Sequence, residues 1–110
     1  MSNTTAATSL FRVDAFKVPA AARAAFAARL QRIDALLARQ PGCRQNLVLT
    51  QPDGVDFKMV TLVEWADEAS LQAARAVAQA GYAAEGFDPA SFMRAHGITA
   101  DFGTYAALPS

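Results

Sequence analysis

From Ser9 to Val18 (SLFRVDAFKV) β-prone apolar residues recur at Leu10, Phe11, Val13, Phe16 and Val18. The segment predicts a strand with Phe11, Val13 and Ala15 on one face and Leu10, Arg12, Asp14 and Phe16 on the other. Pro19 suits the first turn of a helix that follows. Between Ala20 and Gln40, Phe26, Leu30, Ile33 and Leu37 are spaced by four, three and four residues, which stacks them in one helical stripe. Alanine fills most other positions, giving a thin helix able to lie close to a sheet, and Pro41-Gly42 ends it. Arg44–Gln51 and Phe57–Trp65 then read as a β-hairpin across Pro52-Asp53-Gly54. In its second strand Phe57, Met59, Thr61, Val63 and Trp65 oppose Lys58, Val60, Leu62 and Glu64. Asp67 can cap a second helix from Glu68 to about Ala80, with Leu71, Ala74, Val77 and Ala78 as its buried stripe and Gly81 weakening or ending it. A short helix, Pro89–His96, is capped by Asp88, anchored by Phe92 and stopped by Gly97. The last strand, Thr99–Leu108, alternates Ala100, Phe102, Thr104 and Ala106 with Asp101, Gly103 and Tyr105. Residues 1–8 are polar and aperiodic, an expected disordered tail ahead of a single domain over 9–110.

The order β-α-β-β-α-(α)-β is that of an α+β, ferredoxin-like split βαβ fold: an antiparallel four-stranded sheet with both long helices on one face. Its other face then has no cover within the chain. At about 25 cal/mol per Å², several hundred Å² of exposed apolar sheet forgoes many kcal/mol. Pairing with a second copy about a two-fold axis removes that loss, so a homodimer is expected.

Composition narrows the chemistry further. With 110 residues, 53% of them hydrophobic, the chain forms one folded domain and is not intrinsically disordered. Ten basic residues balance ten acidic ones, which leaves no field to attract nucleic acid or an anionic membrane. No apolar run is long enough to span a bilayer and the polar start does not read as a signal peptide, so a cytoplasmic location is expected. Cys43 is the one thiol and His96 the one imidazole, which removes an internal disulfide and makes a zinc site improbable. No metal or cofactor is expected.

The chain resembles the antibiotic biosynthesis monooxygenase-like family of dimeric α/β barrels over roughly Leu10 to Leu108. The features that carry the resemblance are Pro41-Gly42-Cys43 between the first helix and second strand, the hairpin ending in Glu64-Trp65, and the helix DEASLQAARAVAQA that follows. It implies a homodimer of ferredoxin-like subunits, each with a cavity between sheet and helices. Some members oxidise aromatic polyketides, quinols or phenols with molecular oxygen and no bound cofactor; others degrade haem. Trp65 aligns with the strand-end Trp of the polyketide-oxidising members, whereas Thr61 and Leu71 stand where those members carry Asn and Tyr. Arg12, Ala74 and Ala84 occupy the positions of the Asn, Trp and His of the haem degraders, which argues against that activity.

Four residues are candidates for a site. Trp65 can stack on a flat aromatic, or simply pack beneath the second helix. His96 has an ordinary pKa of about 6.5, which suits removal of a phenolic proton, yet a His at a helix end also faces backbone carbonyls there. Tyr82 can project its hydroxyl into the cavity or pack at its rim. Arg75 can hold a carboxylate or enolate through its planar fork, or remain solvated. Arg29, Arg32 and Arg39, with Asp34 nearby, read as a solvated helix face. Arg12 and Asp14 share a strand face and must be paired if that face is buried, a pairing that can also be made across the dimer interface. Cys43 follows a helix and has nothing to lower its pKa.

The expected function is a cofactor-independent, monooxygenase-type oxidation of a small aromatic, a quinol or polyketide-like phenol, by molecular oxygen. His96 would be the base, Arg75 or Tyr82 the anion stabiliser and Trp65 the stacking surface. The alternative is a non-catalytic barrel that binds a small apolar molecule.

Overall fold

The computed structural model describes residues 9–109, and the tail expected over residues 1–8 lies outside them. Its elements are β1 (Leu10–Val18), a 3-10 turn (Ala20–Ala22), α1 (Arg23–Ala38), β2 (Cys43–Asp53), β3 (Asp56–Trp65), α2 (Glu68–Glu85), α3 (Pro89–Ala95) and β4 (Thr99–Ala106). The strands form one sheet in the order β2-β3-β1-β4, every neighbouring pair antiparallel. This is the ferredoxin-like fold that the alternation of the segments predicts.

Strand register explains where polar and apolar groups fall. Asp14 lies opposite Thr61 on one side and Phe102 on the other, and Arg12 opposite Val63 and Thr104. Because side chains alternate across a strand, Leu10, Arg12, Asp14, Phe16 and Val18 face the helices together with Met59, Thr61, Val63 and Trp65. The core divides in two. Phe16, Val18, Ala22, Phe26, Leu30, Met59 and Ile98 pack at one end of the sheet. Val63, Trp65, Leu71 and Ala74 pack at the other. Arg12 and Asp14 interrupt the apolar row of β1 between the two clusters.

Several boundaries differ from those read in the sequence. The hairpin turns at Gly54-Val55, with Asp53 opposite Asp56 and Pro52 still paired with Phe57. Proline is tolerated there because β2 is an edge strand. The first helix starts as a 3-10 turn at Ala20 and becomes α-helical at Arg23. Strand β4 stops at Ala106, short of Leu108.

The largest difference is that α2 does not end near Gly81 but runs to Glu85, where Gly86 takes a left-handed cap at φ 66°. An interior glycine costs about 1 kcal/mol relative to alanine. That cost is offset by the half-buried ring of Tyr82 and by Glu85, which lies between two arginines of α1. Of the predicted α2 stripe, Leu71 and Ala74 are buried, but Val77 is exposed.

Gly42 fixes the entry to the sheet. Its φ is 87°, and a Cβ there would collide with the side chain of Ser70. Its carbonyl also accepts from the Ala66 amide at 2.8 Å. Gly42→Ala is therefore expected to destabilise the fold by about 2 kcal/mol, measured as a shift in the urea midpoint. A variant as stable as the parent would show that the start of α2 moves aside without cost.

Candidate active site between sheet and helices

Alanine-rich α1 and α2 lie over the sheet but touch each other little, and the space between them is a cavity of about 1180 Å³. Aromatic side chains form part of its wall. Phe16 meets Phe26 edge-on with ring centroids 4.9 Å apart and Phe102 at 6.1 Å, and Phe26 stacks with Phe92 at 6.3 Å. The short helix α3 supplies Phe92 and Met93 to the lining. It begins as the sequence predicts, with Asp88 accepting from the Ala90 amide at 3.1 Å and the Ser91 hydroxyl at 2.8 Å.

The floor is polar at its centre. Arg12 Nε donates to Asp14 Oδ1 at 2.8 Å, with the two side chains 26% and 21% exposed. The guanidinium is steadied by β4: Nη1 lies 3.5 Å from the Thr104 hydroxyl, and Cζ is 5.4 Å from the centroid of the Phe102 ring. Burial pushes the Asp14 carboxyl above its ordinary pKa, while the charges of Arg12 and Arg75 and the Arg12 hydrogen bond act the other way. The pairing that buried charges require is thus made within β1 itself.

Three of the four candidate residues line the cavity and one does not. Arg75 reaches it from the middle of α2 and makes no side-chain hydrogen bond or ion pair among the described residues, so its donors are available to a ligand. Tyr82, half-buried and further along the same helix, packs against Phe87 with centroids 5.6 Å apart. Burial holds its hydroxyl above the ordinary phenol pKa, Arg29 opposing and Glu85 and Asp14 adding to the rise, so it is a donor at neutral pH. Trp65 is in the lining but is 2% exposed and belongs to the core beneath α2, so little of it is open to the space. His96 is not in the lining: it is exposed at the C-terminus of α3, its ring 4.3 Å from that of Phe92. A base acting inside the cavity must therefore come from another side chain.

The structure also adds residues beyond those four. Arg29 is not on a solvated face. It pairs with Glu85 at 3.1 Å and lies 3.4 Å from the centroid of the Phe87 ring, while Arg32 reaches the second Glu85 oxygen at 3.3 Å. These contacts join α1 to the last turn of α2 beside the cavity. Periodicity could not reveal them, because the pattern ends the helix before Glu85; Gly86 as a C-terminal cap was the available signal. Cys43 lies outside the lining, and burial followed by the charge of Asp34 pushes its thiol up, so it is no thiolate at neutral pH. Among the described residues no group of three His, Cys, Asp or Glu could hold a metal ion, and no helix is long and apolar enough to cross a membrane.

The chain is thus one of the small ferredoxin-like α+β proteins, with a hollow between sheet and helices whose floor carries a charged pair. Within that class the chain belongs to the antibiotic biosynthesis monooxygenase family, whose profile matches residues 10–85, from β1 to the end of α2. Among solved structures it is similar to SnoaB, a cofactor-independent oxygenase from Streptomyces nogalater. A mutant form of SnoaB is 28% identical with a TM-score of 0.72, the match covering 94% of this chain and 97% of that one. The fold is shared with the haem degrader MhuD of Mycobacterium tuberculosis at 19% identity and TM-score 0.64, over 92% of this chain and 97% of that one. It is shared too with a dimeric ferredoxin-like protein from an uncultured marine organism, at 12% identity and TM-score 0.67, over 93% and 97%. No curated protein matches the chain.

Proposed function

We propose that this protein is a cofactor-independent oxygenase that oxidises a small, flat phenol or quinol with O₂ in the cavity between sheet and helices, and that it works as a homodimer. The observation that carries this reading is the pairing of aromatic walls with unpartnered polar donors: Phe16, Phe92 and Phe102 enclose a planar ring, and Arg75 and Tyr82 offer hydrogen bonds to an oxygen on it. The family and the likeness to SnoaB support it.

The chemistry follows from the spin state of oxygen. Triplet O₂ reacts slowly with a neutral closed-shell phenol, but a phenolate is a far better one-electron donor. The protein's contribution is to stabilise that anion in a space with little water, where a fixed guanidinium acts more strongly than in bulk solvent. In the balanced reaction a phenol and O₂ give a quinone and water: one oxygen atom enters the ring as a new C=O, and the other leaves as H₂O with the two hydrogens lost from the phenol. Neither His96 nor Cys43 lines the space, so neither can ligate a haem iron there, and the polar groups present suit a phenolic oxygen instead.

The dimer rests on the far side of the sheet, where Leu47, Leu49 and Tyr105 are 42%, 47% and 55% exposed. Leu47, Leu62 and Val13 form a continuous row across β2, β3 and β1 on that face. Oxygen-electrode assays with 1-naphthol should show uptake above the rate without protein. Arg75→Ala is expected to reduce kcat/KM about 10- to 100-fold, the scale of one hydrogen bond to a charged group. Thermal stabilisation by the same compound without oxygen uptake would instead support a binding protein, a reading that Thr61 and Leu71 at the family's Asn and Tyr positions favour.

A further inference from the structure

Resting on the oxygenase reading, the geometry points to Asp14 as the proton acceptor that ionises the phenolic substrate, with Arg12 as the residue that positions it and Arg75 as the counter-ion of the oxyanion formed. Asp14 occupies the middle of β1, between Thr61 and Phe102, at the floor of the cavity. Its Oδ1 is taken by Arg12 Nε at 2.8 Å, whereas Oδ2 accepts no hydrogen bond from any described residue. The carboxylate is thus held by one oxygen, and the other is left unpaired on a residue that lines the hollow. Arg12 also lies 3.5 Å from the Thr104 hydroxyl and 5.4 Å from the Phe102 centroid, so the pair sits partly buried against β4.

The groups that face Asp14 come from each element around it. Arg12 lies beside it on β1, Thr61 on β3, and Phe102 and Thr104 on β4; Arg75 and Tyr82 look down from α2, and Arg29 with Glu85 closes the far rim. No imidazole is among them. In the proposed step the substrate O–H bond breaks, its proton forms an O–H bond on Asp14 Oδ2, and the electron pair stays on the substrate oxygen next to Arg75. The carboxylate becomes a neutral acid as the phenol becomes an anion, so the local charge count is unchanged, which suits a partly buried site. Burial, which lifts the carboxyl above its ordinary pKa, makes it a better match to a phenol than a solvated aspartate is.

The assignment can be tested without oxygen. A ring hydrogen ortho to a phenolic hydroxyl exchanges with D₂O through the phenolate: a deuteron adds to carbon from the deuterated carboxyl, and the original proton leaves to the carboxylate. Anaerobic ¹H NMR of 1,3-dihydroxynaphthalene should show exchange accelerated by the parent protein. The acceleration should fall about 100-fold in Asp14→Asn and be restored in part by Asp14→Glu. The pH profile of the parent should carry an acid limb above the ordinary carboxylate range that Asp14→Asn lacks. Arg12→Gln should move that limb upward, because the Arg12 charge holds the carboxyl down, a displacement that a purely structural role would not produce. Thermal melts report folding of each variant; in Asp14→Asn the carboxamide oxygen can still accept from Arg12. Equal exchange by parent and Asp14→Asn, or no acceleration by the parent, would overturn the assignment. Exchange that depends on Asp14 with no oxygen uptake would leave the proton acceptor standing and overturn the oxygenase reading instead.

Discussion

Truncating Phe16 to alanine is expected to destabilise the domain by about 3–5 kcal/mol, the usual cost of removing a buried phenylalanine ring. Phe16 is 7% exposed and its ring is the meeting point of β1, α1 and β4, through edge contacts with Phe26 and Phe102. It also lies opposite Met59, which is itself buried. Ala22 and Ala27 on the facing helical segment are too short to follow the ring, so part of the lost volume stays empty. Urea denaturation should show a lower midpoint with an unchanged slope. Val55→Ala at the hairpin tip, 85% exposed, is the control and should change stability by less than about 0.5 kcal/mol. A loss below about 1 kcal/mol in Phe16→Ala would mean that this aromatic group is not the mainstay of its cluster.

Leu62→Asp should separate the proposed dimer. Leu62 lies between Leu47 and Val13 on the sheet face away from the helices, so the substitution spares the protomer's own core. In a two-fold assembly it introduces a carboxylate twice, and burying an unpaired ion costs several kcal/mol. Even about 4 kcal/mol in total raises the dissociation constant about a thousandfold. Light scattering after size-exclusion chromatography at micromolar protein should give a dimer for the parent and a monomer for the variant. A monomeric parent would remove the proposal, and the sheet's open face would then need another explanation.

Much of this architecture was legible in the chain because its signals are local. Alternation at Phe57–Trp65 and Thr99–Ala106 assigns each residue to its observed face, and Asp67 and Asp88 cap the helices that the pattern assigns to them. What was not legible depends on distance. The end of α2 is decided by Glu85 meeting Arg29 and Arg32, 56 residues away in the first case, and local propensity at Gly81 points the other way. The same limit governs the site. Arg75 and Tyr82 could be placed near a cavity by helical position, but whether His96 reaches it depends on how α3 lies against Phe92. In the sequence Asp14 is a charge in need of a partner; only the register of three strands reveals that it lies between Thr61 and Phe102 on the face that lines the hollow.

The split of the core into two clusters has a mechanical consequence. The domain resembles an arch with two solid piers and an open span, and the charged pair of β1 keeps the span from being filled by the chain's own side chains. A planar guest of the kind proposed would touch both piers at once and complete a continuity that the polypeptide alone lacks. On that proposal the stiffness of the domain is shared with its guest, and it would rise when the span is bridged.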